Sequence, residues 1–466
     1  MSKPDIAPAL QLIRQRMNQA AMPALVLTQF SRQVEALAAG ATGLIAESQI
    51  QPVTEIDQLD NLPDDPTAAA TAMHHCVVIK LNGGLGTSMG LNQAKSLLPA
   101  RADQTFLDLI VQQVLHQRQQ FNAPLPLLLM NSFRTEADSL AFLARYPELH
   151  AGQADLPLSF LQHKVPRLLA DTLQPVEWPH DPDREWCPPG HGDLYTALMT
   201  TGLLDRLLAA GIRYAFVSNS DNLGASVDPR ILALMASESI PFLMEVTERT
   251  PADRKGGHLA LGTNGRLRLR ESAQCPVDDL PAFQDIQRHR FFNTNNLWLN
   301  LVMLRQRLDQ TQSLLDLPLI RNVKRVVPED ADTPEVIQLE TAMGAAIECF
   351  DGARALAVSR QRFIPVKTTN DLLALWSDRY RINDDGRLLA LNEQPIRIEL
   401  DPRYFGPIEA FRQRFPHGAP SLRHAEELIV RGDVVFGRDI SIRGKALVEN
   451  TGADTALHIP DRSQLS

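Results

Sequence analysis

The chain has 466 residues, 44% apolar and 22% charged, with a formal net charge of −9. That composition describes an ordinary globular protein long enough for about three domains. It excludes a dedicated nucleic-acid binder, which needs a basic face, and no run of eighteen apolar residues suggests a membrane span.

The N-terminus, MSKPDIAPALQLIRQRM, carries charges where a signal peptide needs an apolar core. Cys76, Cys187, Cys275 and Cys349 are far apart and form no C-x-x-C pair. Reduced thiols and a cytoplasmic protein are therefore expected, with neither a zinc site nor a disulfide framework. Residues 1 to about 62 read as helical, because Leu10, Ile13 and Met17, then Phe30, Val34 and Leu37, recur at helical spacing. They carry no evident chemistry and read as a cap on the core. The stretch Asn61 to Thr67, NLPDDPT, has the composition of a linker.

The chain is organised around Cys76 to Ala100, CVVIKLNGGLGTSMGLNQAKSLLPA. Cys76 to Leu81 suits a buried strand. Asn82, Gly83, Gly84, Gly86 and Gly90 then make a loop with almost no bulk, which lets an anion sit against main-chain N–H groups. Lys95 and a helix near Thr105 complete the outline of a phosphate-binding turn. The spacing G-x-G-x-x-x-G is neither a Walker A loop nor the dinucleotide fingerprint.

Strands and helices then alternate, which predicts an α/β fold with a mainly parallel sheet. Leu125 to Met130 ends at Asn131-Ser132-Phe133, on the edge where such sheets bind ligands. Ser159 to Gln162 is a short strand, and Gln162 carries both a donor and an acceptor, as a pyrimidine edge requires. His163 and Lys164 read as exposed polar residues. In CPPGHGDLY, His191 lies between Gly190 and Gly192, and Asp193 is placed to cap a helix. Tyr214 to Ser218 is a strand running into Asn219, Ser220 and Asp221. A carboxylate there holds either a magnesium ion on phosphates or an Asx turn. Lys255 belongs to a further loop. Asn293, Thr294 and Asn295 sit in a segment rich in amides, which satisfy sugar hydroxyls without adding charge. Glu340 is a candidate hydroxyl acceptor and Lys367 a candidate phosphate cation. Val430, Phe436, Ile442 and Val448 recur every six residues, as do Leu428, Val434, Ile440 and Ala446. That period marks a parallel β-helix, with a β-meander as the competing reading.

The stretches LNGGLGTSMG with Lys95-Ser96, NSF with Thr135, PPGHGD and FVSNSDNLGASVD resemble the eukaryotic-type UTP–glucose-1-phosphate uridylyltransferases. Leu91-Asn92-Gln93-Ala94 departs from that family, where Cys-Lys-Gly-Pro is usual. The resemblance implies a glycosyltransferase-A-like, Rossmann-like nucleotidyltransferase core at 71–378, between a helical segment at 1–70 and a C-terminal domain at 379–466 containing a small left-handed parallel β-helix. It implies UTP and glucose 1-phosphate as substrates and Mg²⁺ on Asp221 as cofactor. Lys95 and Lys367 would lie on the phosphates. Leu81, Asn82, Gly83, Gly84, Asn219 and Ser220 would hold the nucleotide, with Gln162 and Gly190 on the uracil. His191, Asn293, Thr294, Asn295 and Glu340 would take the sugar phosphate. A homo-oligomer through the β-helix is a further implication. A sister enzyme for another sugar and a non-catalytic nucleotide-sugar sensor are the rival readings. Lys95, Asp221 and Lys367 are all present, which disfavours the sensor.

Overall fold

The structure, a computed structural model, describes residues 6–466 except Ala102, Ala154, Glu393, Ala453 and Asp454, and also omits the side chain of Ser88. The charged start MSKPD and the Ser88 side chain of the glycine loop thus lie outside the described residues.

Helices Ala7–Gln19 and Ala24–Ala38 form where the apolar spacing predicts them. They bury Ile13, Met17, Phe30 and Val34 against Val165, Leu168, Cys187, Ile337 and Leu339. The helical reading of residues 1–62 stops there. Ile50–Pro52 is an edge strand, antiparallel to His258–Gly262, and three residues are too few for any period to reveal. The stretch read as a linker is anchored. Leu59 is buried, and Asp65 accepts the Ala68 N–H at 2.9 Å to cap helix Pro66–Met73.

The centre is a ten-stranded mixed sheet. Its middle is parallel: Tyr214–Asn219, Cys76–Asn82, Leu127–Asn131 and Ser159–Leu161 lie side by side. Cys76 to Lys80 and Leu127 to Asn131 are buried throughout, as strands covered on both faces must be. On the other side of Tyr214–Asn219 the long strand Phe291–Asn300 enters antiparallel. It carries Phe242–Glu248 and touches His258–Gly262. Register fixes where the parallel strands end. Asn219 lies opposite Leu81, and Asn82 opposite Asn131. The carboxyl ends of three neighbouring strands therefore finish together, and the loops after them open on one edge.

The segment Arg397 to the C-terminus contains a four-stranded, all-parallel sheet of Arg397–Leu400, Ser421–Arg431, Ser441–Glu449 and Gln464–Leu465. A second parallel pair joins Val434–Phe436 to Leu457–Ile459. Every member of both six-residue series is buried, so the period marks inward-facing positions. Phe405, Ile408, Phe411 and Phe415 join the same hydrophobic cluster as Val78, Leu127 and Leu129. The C-terminal part is thus continuous with the core beside the central sheet. Among the described residues no helix is long and apolar enough to cross a membrane.

Candidate active site

The carboxyl edge of the parallel strands gathers the glycine loop, Asp221 and the segment before Lys367. Ser220 N–H donates to the Leu81 carbonyl at 3.1 Å, which fixes the Asp221 turn to the end of the glycine-loop strand. Lys95 Nζ donates to Asp221 Oδ2 at 2.8 Å. The other oxygen, Asp221 Oδ1, is buried with no hydrogen-bond partner among the described residues. A buried carboxylate oxygen left unpaired is costly, so this atom is suited to a cation that arrives with the ligand. Val366 N–H donates to the Asp221 carbonyl at 3.0 Å, and Asn222 bridges antiparallel to Pro365. Lys367 is the next residue along and lies exposed.

The glycine loop itself is open on one side. A Cβ at Gly84 would meet nothing within 4 Å, whereas one at Gly83 would lie 2.6 Å from Gln162 Oε1. Gln162 is held there by its N–H, which donates to the Asn131 carbonyl at 2.7 Å. The loop and the candidate base reader are therefore in direct contact. Asn82 is buried, and its amide donates to Asn131 Oδ1 and Ser139 Oγ at 2.7 and 2.8 Å. Its side chain braces the strand ends, and its main chain continues into the loop.

The second glycine loop is closed. Gly190 has φ +81°, and a Cβ there would lie 2.4 Å from the Thr341 carbonyl and 3.0 Å from Glu340 Cβ. Met343 N–H donates to His191 Nδ1 at 2.9 Å, which leaves the proton of the neutral ring on Nε2. His191 keeps some exposed surface, yet the packing around its ring pushes its pKa down to about 4. It is a neutral donor at ordinary pH. A Cβ on Gly344 would lie 3.1 Å from Asn293 Nδ2, so the Gly190 loop, the end of the Glu335–Thr341 strand and the amide segment form one wall. In that segment Asn293 and Asn295 bond each other, and the strand bulges between Glu245 and Val246 of its partner. Asn295 adopts φ +58° at the bulge, a device that re-aims side chains beside functional sites. Thr294 is buried, and its hydroxyl donates to the Glu245 carbonyl at 2.7 Å, so it points into the sheet.

Two expectations are corrected here. Asp193 does not cap a helix: Gly192 holds the cap position. The Asp193 carboxylate instead accepts from His163 N–H at 2.7 Å and meets His163 Nδ1 at 2.9 Å. His163 is accordingly a held residue, because a helix-start carboxylate found a partner that sequence distance hid. Lys164 is not simply solvated either, since its Nζ lies over the rings of Trp186 and Phe133 at 4.8 and 5.2 Å. Lys255 is exposed, and all four cysteines are free and buried.

The family model described as UTP–glucose-1-phosphate uridylyltransferase matches residues 27–443. The chain belongs to the UTP–glucose-1-phosphate uridylyltransferase family. It is 40% identical to the UTP–glucose-1-phosphate uridylyltransferase of Solanum tuberosum, over 88% of this chain and 84% of that one. The Saccharomyces cerevisiae enzyme is also 40% identical, over 80% and 73%. Among solved structures, UDP-glucose pyrophosphorylase from Leishmania major superimposes with a TM-score of 0.92 at 44% identity, covering 98% of each chain. The structure of a UDP-glucose phosphorylase from Trypanosoma brucei gives 0.90 at 43%, over 98% and 99%.

For a member of this uridylyltransferase family, the residues that sequence reading missed lie below the site. Glu245 is fully buried and accepts from Trp298 Nε1, Asn296 Nδ2 and the Arg362 guanidinium. Lys80, also buried, donates to Ser218 Oγ at 2.7 Å and to the Ala225 carbonyl at 2.8 Å. Burial pulls its pKa down to about 7. A charge inside an apolar run, as in PFLMEV or VVIKL, was the available signal.

Proposed function

We propose that this chain is an enzyme that forms UDP-glucose and pyrophosphate from UTP and glucose 1-phosphate. The observation that carries the reading is the Lys95–Asp221 contact at the head of the glycine loop. A cation and a carboxylate with one unpaired oxygen meet beside a main chain left bare at Gly84. An oxygen of the sugar phosphate attacks the α-phosphorus of UTP, the bond to the β-phosphate breaks, and pyrophosphate leaves in line. The nucleophile is already an anion, so no general base is required. Bringing two polyanions together is the difficulty, and positioned charge is the remedy.

In this reading the Leu81–Gly84 main chain, Asn219 and Ser220 hold the nucleotide, and Lys95 and Lys367 neutralise phosphate charge. Gln162 and Gly190 hold the uracil. His191, through its Nε2 proton, acts with Asn293, Asn295 and Glu340 on the sugar phosphate. Asp221 would hold Mg²⁺: its unpaired Oδ1 fits a hard cation. Among the described residues no cluster of three or more His, Cys, Asp or Glu could hold a metal, and magnesium on phosphates needs only one or two carboxylates. When bound, the ion would supply charge neutralisation on the phosphate oxygens.

The paired parallel sheets and buried six-residue series support a small C-terminal β-helix. Leu447 and Leu457, 61% and 38% exposed on it, support its use as a subunit contact. Four buried free thiols support a cytoplasmic location. The test is pyrophosphate release from UTP with a panel of sugar 1-phosphates, N-acetylglucosamine 1-phosphate included. Glucose 1-phosphate is expected to be turned over best, and preference for another sugar would move the chain to a sister activity.

A further inference from the structure

Asn222 comes directly after the metal-site carboxylate but faces away from it, into the protein, where it is 1% exposed. Its amide bonds in four directions. Nδ2 donates to the Arg362 carbonyl at 3.1 Å and to Asn296 Oδ1 at 3.2 Å. Oδ1 accepts the N–H of Ile364 at 2.8 Å and that of Gly224 at 3.2 Å. One side chain thereby ties the Asp221 turn to the segment that runs directly into Lys367. The far end of that segment is anchored independently. Arg362 Nε and Nη2 donate to the two oxygens of Glu245 at 2.7 and 2.5 Å, and Nη2 also donates to the Ser226 carbonyl at 2.8 Å. Lys80 closes the turn from below, at Ser218 and Ala225.

None of these hydrogen bonds involves Gly83, Gly84 or Gly86, and each is made by a side chain, so none belongs to the backbone ladder of the sheet. It is a fully hydrogen-bonded polar group in the interior, the kind of network that specifies one geometry. We propose that Asn222 is a positioning residue for the transfer reaction: through Arg362 and Ile364 it sets the placement of Lys367 relative to Asp221. The inference rests on the reading of Asp221 and Lys367 as the metal and phosphate residues. The arrangement predicts a specific coupling, because Asn222 would act through Lys367 and not through the base pocket.

The experiment is a pair of double-mutant cycles, with kcat/KM for glucose 1-phosphate measured at saturating UTP and magnesium. Asn222→Ala should lower kcat/KM by about 10²-fold, the loss expected of a misplacement near 1 Å. In a Lys367→Ala background the same substitution should cost less than about tenfold, since the group it positions is gone. In a Gln162→Ala background the full loss should persist. An equal loss in both backgrounds would mean a general structural role and overturns the proposal while leaving the Lys367 reading intact. Near-normal turnover of Lys367→Ala alone removes that reading and the proposal with it. Should Asn222→Ala fail to fold, Asn222→Ser serves in the same cycles, because it keeps a small uncharged polar group there and loses the reach of the amide to Arg362 and Ile364.

Discussion

The two glycine loops make opposite use of the same residue. At Gly84 a side chain would meet nothing, and no left-handed backbone demands glycine there. The missing side chain leaves room for something that is not protein. At Gly190 the backbone is left-handed and the Thr341 main chain fills the space a Cβ would take. Its bareness serves the protein's own packing and brings His191 against Met343. Glycine in a loop thus has two physical meanings, and only the surroundings tell them apart.

The largest effects should fall at the open loop. Asp221→Asn keeps the shape and removes the charge, so kcat is expected to fall by about 10²- to 10³-fold. Added magnesium should recover part of the loss. Lys95→Ala should be similarly slow without that recovery. Rates measured against magnesium concentration separate the two, and near-normal turnover of Asp221→Asn at low magnesium would move the metal elsewhere.

Substituting the glycines themselves is the direct test of the contrast. Gly190→Ala should cost about 1–3 kcal/mol of stability from backbone strain and the Thr341 contact, read as a lowered Tm. Gly84→Ala should change stability by less than about 0.5 kcal/mol while raising the KM for UTP. Equal Tm values for the two variants would abolish the distinction.

A smaller effect is expected where the open loop meets Gln162. Gln162→Ala should narrow the ratio of UTP to CTP turnover by about tenfold, the worth of a hydrogen bond to the base. An unchanged ratio would remove Gln162 from the base pocket.

A last effect concerns the closed loop and is read in stability alone. His191 has a folded pKa near 4 against an ordinary 6.5, so on acidification the unfolded chain takes the proton first. Its contribution to stability is whole above about 6.5 and is lost as the pH falls from there toward 4. His191→Asn can keep an acceptor for the Met343 N–H but cannot titrate. Its unfolding free energy should therefore depend less steeply on pH across that window. His258 and His289, also held down by burial, act equally in both proteins. An unaltered slope would show that the His191 ring is solvated.

Local chemistry in the sequence already specified a good deal. The run Cys76 to Ile79, with Lys80 before LNGG, reads as a strand opening into a bare loop, and the order of strands and helices implied an α/β core. The six-residue series named its inward positions correctly, because a repeated side-chain direction needs no knowledge of partners. Tertiary structure decided what depends on neighbours distant in the chain. Lys95 meets Asp221 across 126 positions, and Asp193 holds His163 although its place in the sequence suits a helix cap. The antiparallel entry of Phe291–Asn300 and the edge strand Ile50–Pro52 rest on pairing, which no single segment encodes. Glu245 and Arg362 became partners only when the sheet brought them together, since a buried charge is tolerated by its partner and not by its own sequence neighbours.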